Sequence, residues 1–235
     1  MVAAPNHPGT LKNLGGLPPG PRLVPGRPQG VGMQVGELAW LVSVAGFALS
    51  MSATPGPNNA MVAASGATFG FRRTIPHMLG ISVGFPAMMV AVAFGAGELF
   101  RALPWAHGAL RWVGAAYLLW LAWRIATAKP TPPEGEAGSR PLSFTQAALF
   151  QWVNPKAWVV ALGAVATYTV AGPDLALQAA LIAAIFLAAA LASTALWTLV
   201  GVGVGALVRT PAGLRAFNLA MAALLVASLV PLLVG

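Results

Sequence analysis

The chain has no cysteine. Disulfides, thiolate metal sites and a cysteine nucleophile are thereby excluded, and the redox state of the compartment leaves no mark on the sequence. Charge is nearly as scarce: 8% of the residues are charged, against roughly 25% in an ordinary globular domain. Five carboxylates and three histidines give a metal site or a carboxylate dyad few places to form, so neither a metal nor a cofactor is expected. No GxxxxGK(S/T) phosphate loop, GxSxG elbow or HExxH occurs, so ATP hydrolysis and the common hydrolase chemistries lack a motif, and no catalytic residue is assigned. What the chain has instead is apolar character, with 57% of its residues hydrophobic. That composition predicts an all-α integral membrane protein whose main partner is the lipid bilayer. The net charge of +8 does not point to nucleic acid, because the basic residues are scattered through loops between apolar segments and form no dense patch. Membrane topology explains them better.

Residues 1 to 32 hold seven prolines (Pro5, Pro8, Pro18, Pro19, Pro21, Pro25 and Pro28) and show no periodic apolar face. Such a segment is expected to be disordered. Lys12, Arg22 and Arg27 precede an apolar run in the manner of a signal peptide. The run continues well past any cleavage site near Ala53, however, and an h-region is normally about 7 to 15 residues. Met33 as the true first residue is the competing reading. The chain thus divides into a Pro/Gly-rich tail, 1–32, and a membrane domain, 33–235.

Beyond Met33 the hydropathy falls into six apolar segments: Glu37 to Phe69, Thr74 to Leu99, Gly108 to Thr127, Ser143 to Ala171, Leu175 to Val208 and Leu214 to Val234. Each reaches the roughly 20 residues needed to cross about 30 Å of hydrocarbon. One long loop, Ala128 to Pro141, separates two halves of three segments. The loops after segments 1, 3 and 5 carry seven basic residues (Arg72, Arg73, Arg124, Lys129, Arg140, Arg209 and Arg215), whereas the opposite side carries Arg101 and Arg111. The positive-inside rule then puts the first set in the cytoplasm and both termini outside a bacterial inner membrane. Because three is odd, the halves insert in opposite senses, the arrangement of inverted-repeat transporters.

Two of the segments are interrupted. Thr54-Pro55-Gly56-Pro57-Asn58-Asn59 breaks the first and Asn154-Pro155-Lys156 the fourth, with Pro55 and Pro155 one hundred residues apart. Proline lacks an amide hydrogen and clashes with the preceding turn, so neither stretch continues a helix. Irregular backbone at membrane depth survives only when buried in protein or lining a wet cavity. From Asn59 to Phe69 and from Ser143 to Val153 are 11 residues each, about 16 Å of helix, which places both breaks near the middle of the bilayer. A single site where they meet is therefore expected.

The chemistry available there suits a zwitterion. Asn154 before Pro155 is a helix-start signal, an N-cap ahead of proline at the first helical position. Thr54-Pro55 repeats the pattern with a threonine cap. Each restart turns free amide hydrogens and the positive end of a helix dipole toward the break, where a carboxylate is favoured, and Lys156 strengthens that field. Asn58 and Asn59 supply donors and acceptors for an ammonium and a carboxylate together. The plainer reading makes both stretches kinks satisfied by neighbouring helices, with Lys156 reaching to an interface. Elsewhere, the glycine pairs Gly66/Gly70, Gly80/Gly84 and Gly201/Gly205 read as close helix packing. Pro86 reads as a kink, Trp105, Trp112, Trp120 and Trp123 as interfacial aromatics, His77 and His107 as solvated boundary positions, and Glu98 and Asp174 as capping or exposed residues near helix ends.

These stretches resemble the LysE/RhtB family of bacterial amino-acid exporters. The likeness is carried by Thr54 to Asn59 with Ser65-Gly66-Ala67-Thr68-Phe69-Gly70-Phe71-Arg72-Arg73, by Gly114-Ala115-Ala116-Tyr117-Leu118 leading to Trp123, and by Asn154-Pro155-Lys156-Ala157-Trp158. It runs from about Met33 to the end. The surroundings of Ala67-Thr68 and of Trp120 to Trp123 are most similar to the cysteine and O-acetylserine exporters, while Asn154-Pro155-Lys156 has the general family form. The resemblance implies export of small amino acids or related metabolites, driven by the proton gradient. A substrate site at Thr54, Pro55, Gly56, Pro57, Asn58, Asn59, Asn154, Pro155 and Lys156 is the resulting expectation, with a homodimer left open. A small membrane enzyme, or an assembly subunit without transport activity, is the alternative.

Overall fold

A computed structural model describes residues 35–97, 102, 104–128, 140–208 and 210–230. The tail, nearly all of the long central loop, Glu98, the His107 side chain and the last five residues lie outside the described residues. The elements in order are α1 (Val35–Ala53), α2 (Pro57–Ala91) with a π-helical turn (Val92–Ala96), α3 (Pro104–Ala126), α4 (Phe144–Phe150) with a 3-10 turn (Gln151–Val153), α5 (Pro155–Tyr168), α6 (Leu175–Leu207) and α7 (Pro211–Ala227). No strand occurs among the described residues. Three helical stretches, Gly36–Ala53, Pro57–Ala96 and Leu175–Leu207, are long and apolar enough to cross a membrane, and Trp112–Ala126 and Pro211–Ala227 are shorter apolar helices.

The long helix α2 is two arms joined at Gly70, whose φ of 78° and ψ of 171° lie outside helical space. Glycine is needed there, since a Cβ at positive φ is strained. The hydroxyl of Thr74 donates to the Gly70 carbonyl at 2.8 Å and pairs with Ser65 across the bend at 2.9 Å. The chain reverses at this point, as its packing on α6 shows. In the first arm a Cβ on Gly201 would collide with the Ala63 carbonyl and one on Gly205 with that of Ala67, a parallel succession. In the second arm Ser82 lies 3.5 Å from Thr194 and Phe85 packs on Phe186 with ring centroids 5.4 Å apart, an antiparallel one.

Helix α6 is the pillar of the fold. Phe47, Ser52 and Ala53 of α1 meet Phe186, Ser193 and Trp197 in parallel order, so α1 and the first arm of α2 form one interrupted pass along it. The other interrupted pass, α4 with α5, follows the second arm of α2. Gly80 abuts Phe144, Gly84 abuts Ala148, and a Cβ on Gly97 would meet the Leu162 side chain at 3.1 Å, a constant offset in parallel. The two interrupted passes are consequently antiparallel. Helix α3 packs on α7. Exposed faces are apolar, with Trp105 at 70%, Trp112 at 66% and Trp123 at 63% exposure, as outward-facing aromatics should be.

Several local expectations are corrected. Pro86 keeps helical backbone angles, and the irregularity comes in the π-helical turn, where Gly95 has a φ of 102°. His77 is buried at 2% exposure, because the second arm is helical from residue 71 and carries His77 almost two turns into the bundle. Neither of its ring nitrogens has a hydrogen-bond partner. Asp174, by contrast, is as expected an exposed residue at a helix end, at the N-cap position of α6 and without a capping bond.

Candidate functional site

Where α1 stops, its last carbonyls have no helical partner. The sequence supplies those partners from three other stretches. Asn59 donates through Nδ2 to the carbonyls of Ser52 (2.8 Å) and Thr54 (3.0 Å). The Ser193 hydroxyl of α6 donates to Ser52 O at 2.7 Å, and the Trp197 indole to Ala53 O at 3.4 Å. Lys156 of α5 donates through Nζ to Thr54 O at 2.7 Å. A ragged helix end is thereby held in place by named side chains, and the two breaks touch.

The two helix starts differ from each other. Asn154 caps α5, its side chain accepting the Lys156 amide at 3.1 Å, with Pro155 at the first helical position. Thr54, expected to cap the other, does not. Its hydroxyl donates back to Ser50 O at 2.6 Å, and α2 begins two residues later than expected, with Gly56 at the N-cap and Pro57 at the first helical position. The physical reason is that Thr54 still belongs to the end of α1, where its hydroxyl closes onto the preceding turn. Gly56 has no side chain to cap with. A Cβ there would press on Lys156 Cδ at 2.9 Å, so glycine makes room for the lysine stem.

A second tie joins the breaks. Asn58 and Gln151 exchange amide hydrogen bonds, Asn58 Nδ2 to Gln151 Oε1 at 2.9 Å and Gln151 Nε2 to Asn58 Oδ1 at 3.2 Å. Gln151 is fully buried and also donates to Ala147 O at 3.0 Å. Asn58 remains partly exposed, while Asn59 is 4% exposed and committed to the α1 carbonyls. The two neighbouring asparagines therefore have separate duties.

Between these contacts lies a cavity of about 60 Å³. Its polar wall is Ser52, Asn58, Asn154, Lys156, Ser193 and Thr194, and its apolar wall includes Ile81, Phe85, Val160 and Phe186. Among the expected residues Gly56, Pro57, Asn58, Asn59, Asn154 and Lys156 line it. Thr54 takes part through its carbonyl alone. Pro55 is exposed, and Pro155 sets the start of α5 without lining the cavity. Ser52, Gln151, Ser193 and Thr194 escaped the sequence reading. Polar side chains inside long apolar runs were the available signal, since they are costly in hydrocarbon and face the bundle interior.

Electrostatically the site is one-sided. Lys156 brings a positive charge, and the amide ends of α2 and α5 add to it from opposite directions. The carbonyl end of α1 offsets part of this, but among the described residues no carboxylate lines the cavity. A cation so placed attracts an anion. No group of three or more potential metal ligands occurs among the described residues.

A helical bundle with two broken passes meeting at a polar cavity is the arrangement found in inverted-repeat membrane transporters. The model of the LysE type translocators matches residues 49–234, and the chain belongs to that family. It is 37% identical over 122 residues to the cysteine/O-acetylserine efflux proteins of Escherichia coli (strain K12) and of Shigella flexneri serotype 5b (strain 8401). That match spans 52% of this chain and 62% of those relatives' length. No solved structure matches the chain.

Proposed function

We propose that the protein is a secondary exporter of small amino acids or related metabolites, and that the substrate sits in the cavity between the two breaks. The observation that carries this reading is the Lys156 contact. A lysine charge tied to a backbone carbonyl, beside two helix starts and with no carboxylate lining the cavity among the described residues, is a place for a substrate carboxylate. The Thr54 carbonyl, released as Lys156 turns to the carboxylate, would then receive the substrate ammonium, and Asn58 the remaining polar contacts. Asn59 and Pro155 act by holding the breaks in shape.

Six crossings account for the architecture: α1 with the first arm of α2, the second arm, α3, α4 with α5, α6 and α7. The opposite directions of the two broken passes support an inverted pair of three-helix halves, working by alternating access. Basic loops put the bend at Arg72 and Arg73 in the cytoplasm and both termini outside the inner membrane. The proton gradient is the driving force that the family implies. An enzymatic role would need an acid–base pair beside Lys156, and none lines the cavity.

The test is counterflow in proteoliposomes loaded with single amino acids. Wild-type protein should accumulate a labelled small amino acid, and Lys156→Met should lose most of that exchange while still inserting. Equal exchange by both proteins would sink the assignment of Lys156.

A further inference from the structure

The cavity changes character along its length, and it does so on two helices at once. On α6 its wall runs from Ser193 and Thr194 through Ala190 to Phe186, a stripe about 12 Å long at 1.5 Å per residue. On α5 it runs from Lys156 to Val160, and the second arm of α2 adds the apolar Ile81 and Phe85. Because α5 follows the second arm, which is antiparallel to α6, the gradients on α5 and α6 point the same way. The polar end lies at Lys156, and the apolar end is closed by Phe85, 8% exposed, backed edge-on by the fully buried Phe186. Phe47 also packs edge-on against Phe186 at 6.1 Å, which adds a third ring to this apolar group.

We infer that Phe85, supported by Phe186, is the specificity-determining wall of the site and limits the substrate to zwitterions with a short, uncharged side chain. This rests on the functional reading above and names the substrate class of the same site. With the carboxylate and ammonium held at the Lys156 end, the side chain points along the stripe toward Phe85. The volume of about 60 Å³ has room for about four to six waters, which fits a small amino acid and not a long-chained one. A second charge at the far end would be buried against phenyl rings without a partner, which strongly disfavours basic and acidic side chains.

The experiment is competition of counterflow by a graded series: alanine, 2-aminobutyrate, norvaline and norleucine, with lysine and glutamate as charged members. In wild-type protein the inhibition should fall by about tenfold or more at the first side chain too long for the cavity, and lysine and glutamate should compete weakly. In Phe85→Ala that fall should move to a longer member of the series, with alanine still exchanged. Phe85→Leu, which keeps more of the core filled, should move it less and serves where the alanine variant does not fold. The same cut-off in wild type and in both folded variants would overturn the inference while leaving the transport reading intact. So would wild-type protein that accepts norleucine or lysine as readily as alanine. Wild-type protein that exchanges no amino acid overturns the transport reading, and this inference with it.

Discussion

Adjacent residues of one type do different work at the break. Asn59 spends its side chain on two carbonyls of α1, whereas Asn58 faces the cavity and is paired with Gln151. Asn59→Ala leaves buried carbonyls with fewer donors and should cost about 1–3 kcal/mol, seen as a lower thermal midpoint in detergent. Asn58→Ala alone would orphan the buried Gln151 amide, so the comparison is the double variant Asn58→Leu with Gln151→Met, which removes both partners together and should leave that midpoint within a few degrees of wild type yet lower exchange. Equal loss of stability in both would remove the distinction. The sequence shows that Asn58, Asn59 and Lys156 sit where helix cannot continue, because proline and glycine announce themselves locally. It does not show which asparagine is committed, since that depends on where α1 ends, and Thr54 extends it by bonding to Ser50. Gln151 stayed hidden for a related reason: its partner is 93 positions away.

Among the elements, α6 and the first arm of α2 approach with backbone almost in contact. Gly201 faces the Ala63 carbonyl and leaves no space for a methyl group. Gly201→Val should push the two apart, destabilise the bundle by about 1–3 kcal/mol as overpacking does, and disturb the Ser193 and Trp197 bonds to the end of α1. Gly203→Val, on the same helix with open space around it, is the control that should be tolerated. Comparable loss of folded yield in both would contradict the close-packing account. Glycine pairs at spacing four were a legible packing signal at Gly66, Gly80, Gly84, Gly201 and Gly205. Gly70 belongs to the bend instead, a difference set by its positive φ, which spacing does not reveal. His77 was misread because the boundary of a membrane helix was taken from charge, and the helix begins before the charge ends.

For the whole molecule, hydropathy and two proline breaks were enough to anticipate a helical membrane protein of the translocator family, and the two breaks do touch. The partners of each pass were not legible, because they depend on contacts between helices far apart in sequence. The packing brings the breaks together through Lys156 and Thr54, and Asn58 and Gln151, and leaves a cavity between two clusters of core residues, one around Leu118 and Phe150 and one around Phe186 and Met88. Since the chain has no native cysteine, a single introduced thiol reports on that cavity without background. The most direct test is the rate at which a small membrane-permeant maleimide labels Ser52→Cys with and without a transported amino acid. The substrate should slow labelling at Ser52→Cys and leave Gly172→Cys, in an exposed turn, unchanged. Equal labelling of Ser52→Cys with and without saturating substrate would contradict a binding site where the two breaks meet.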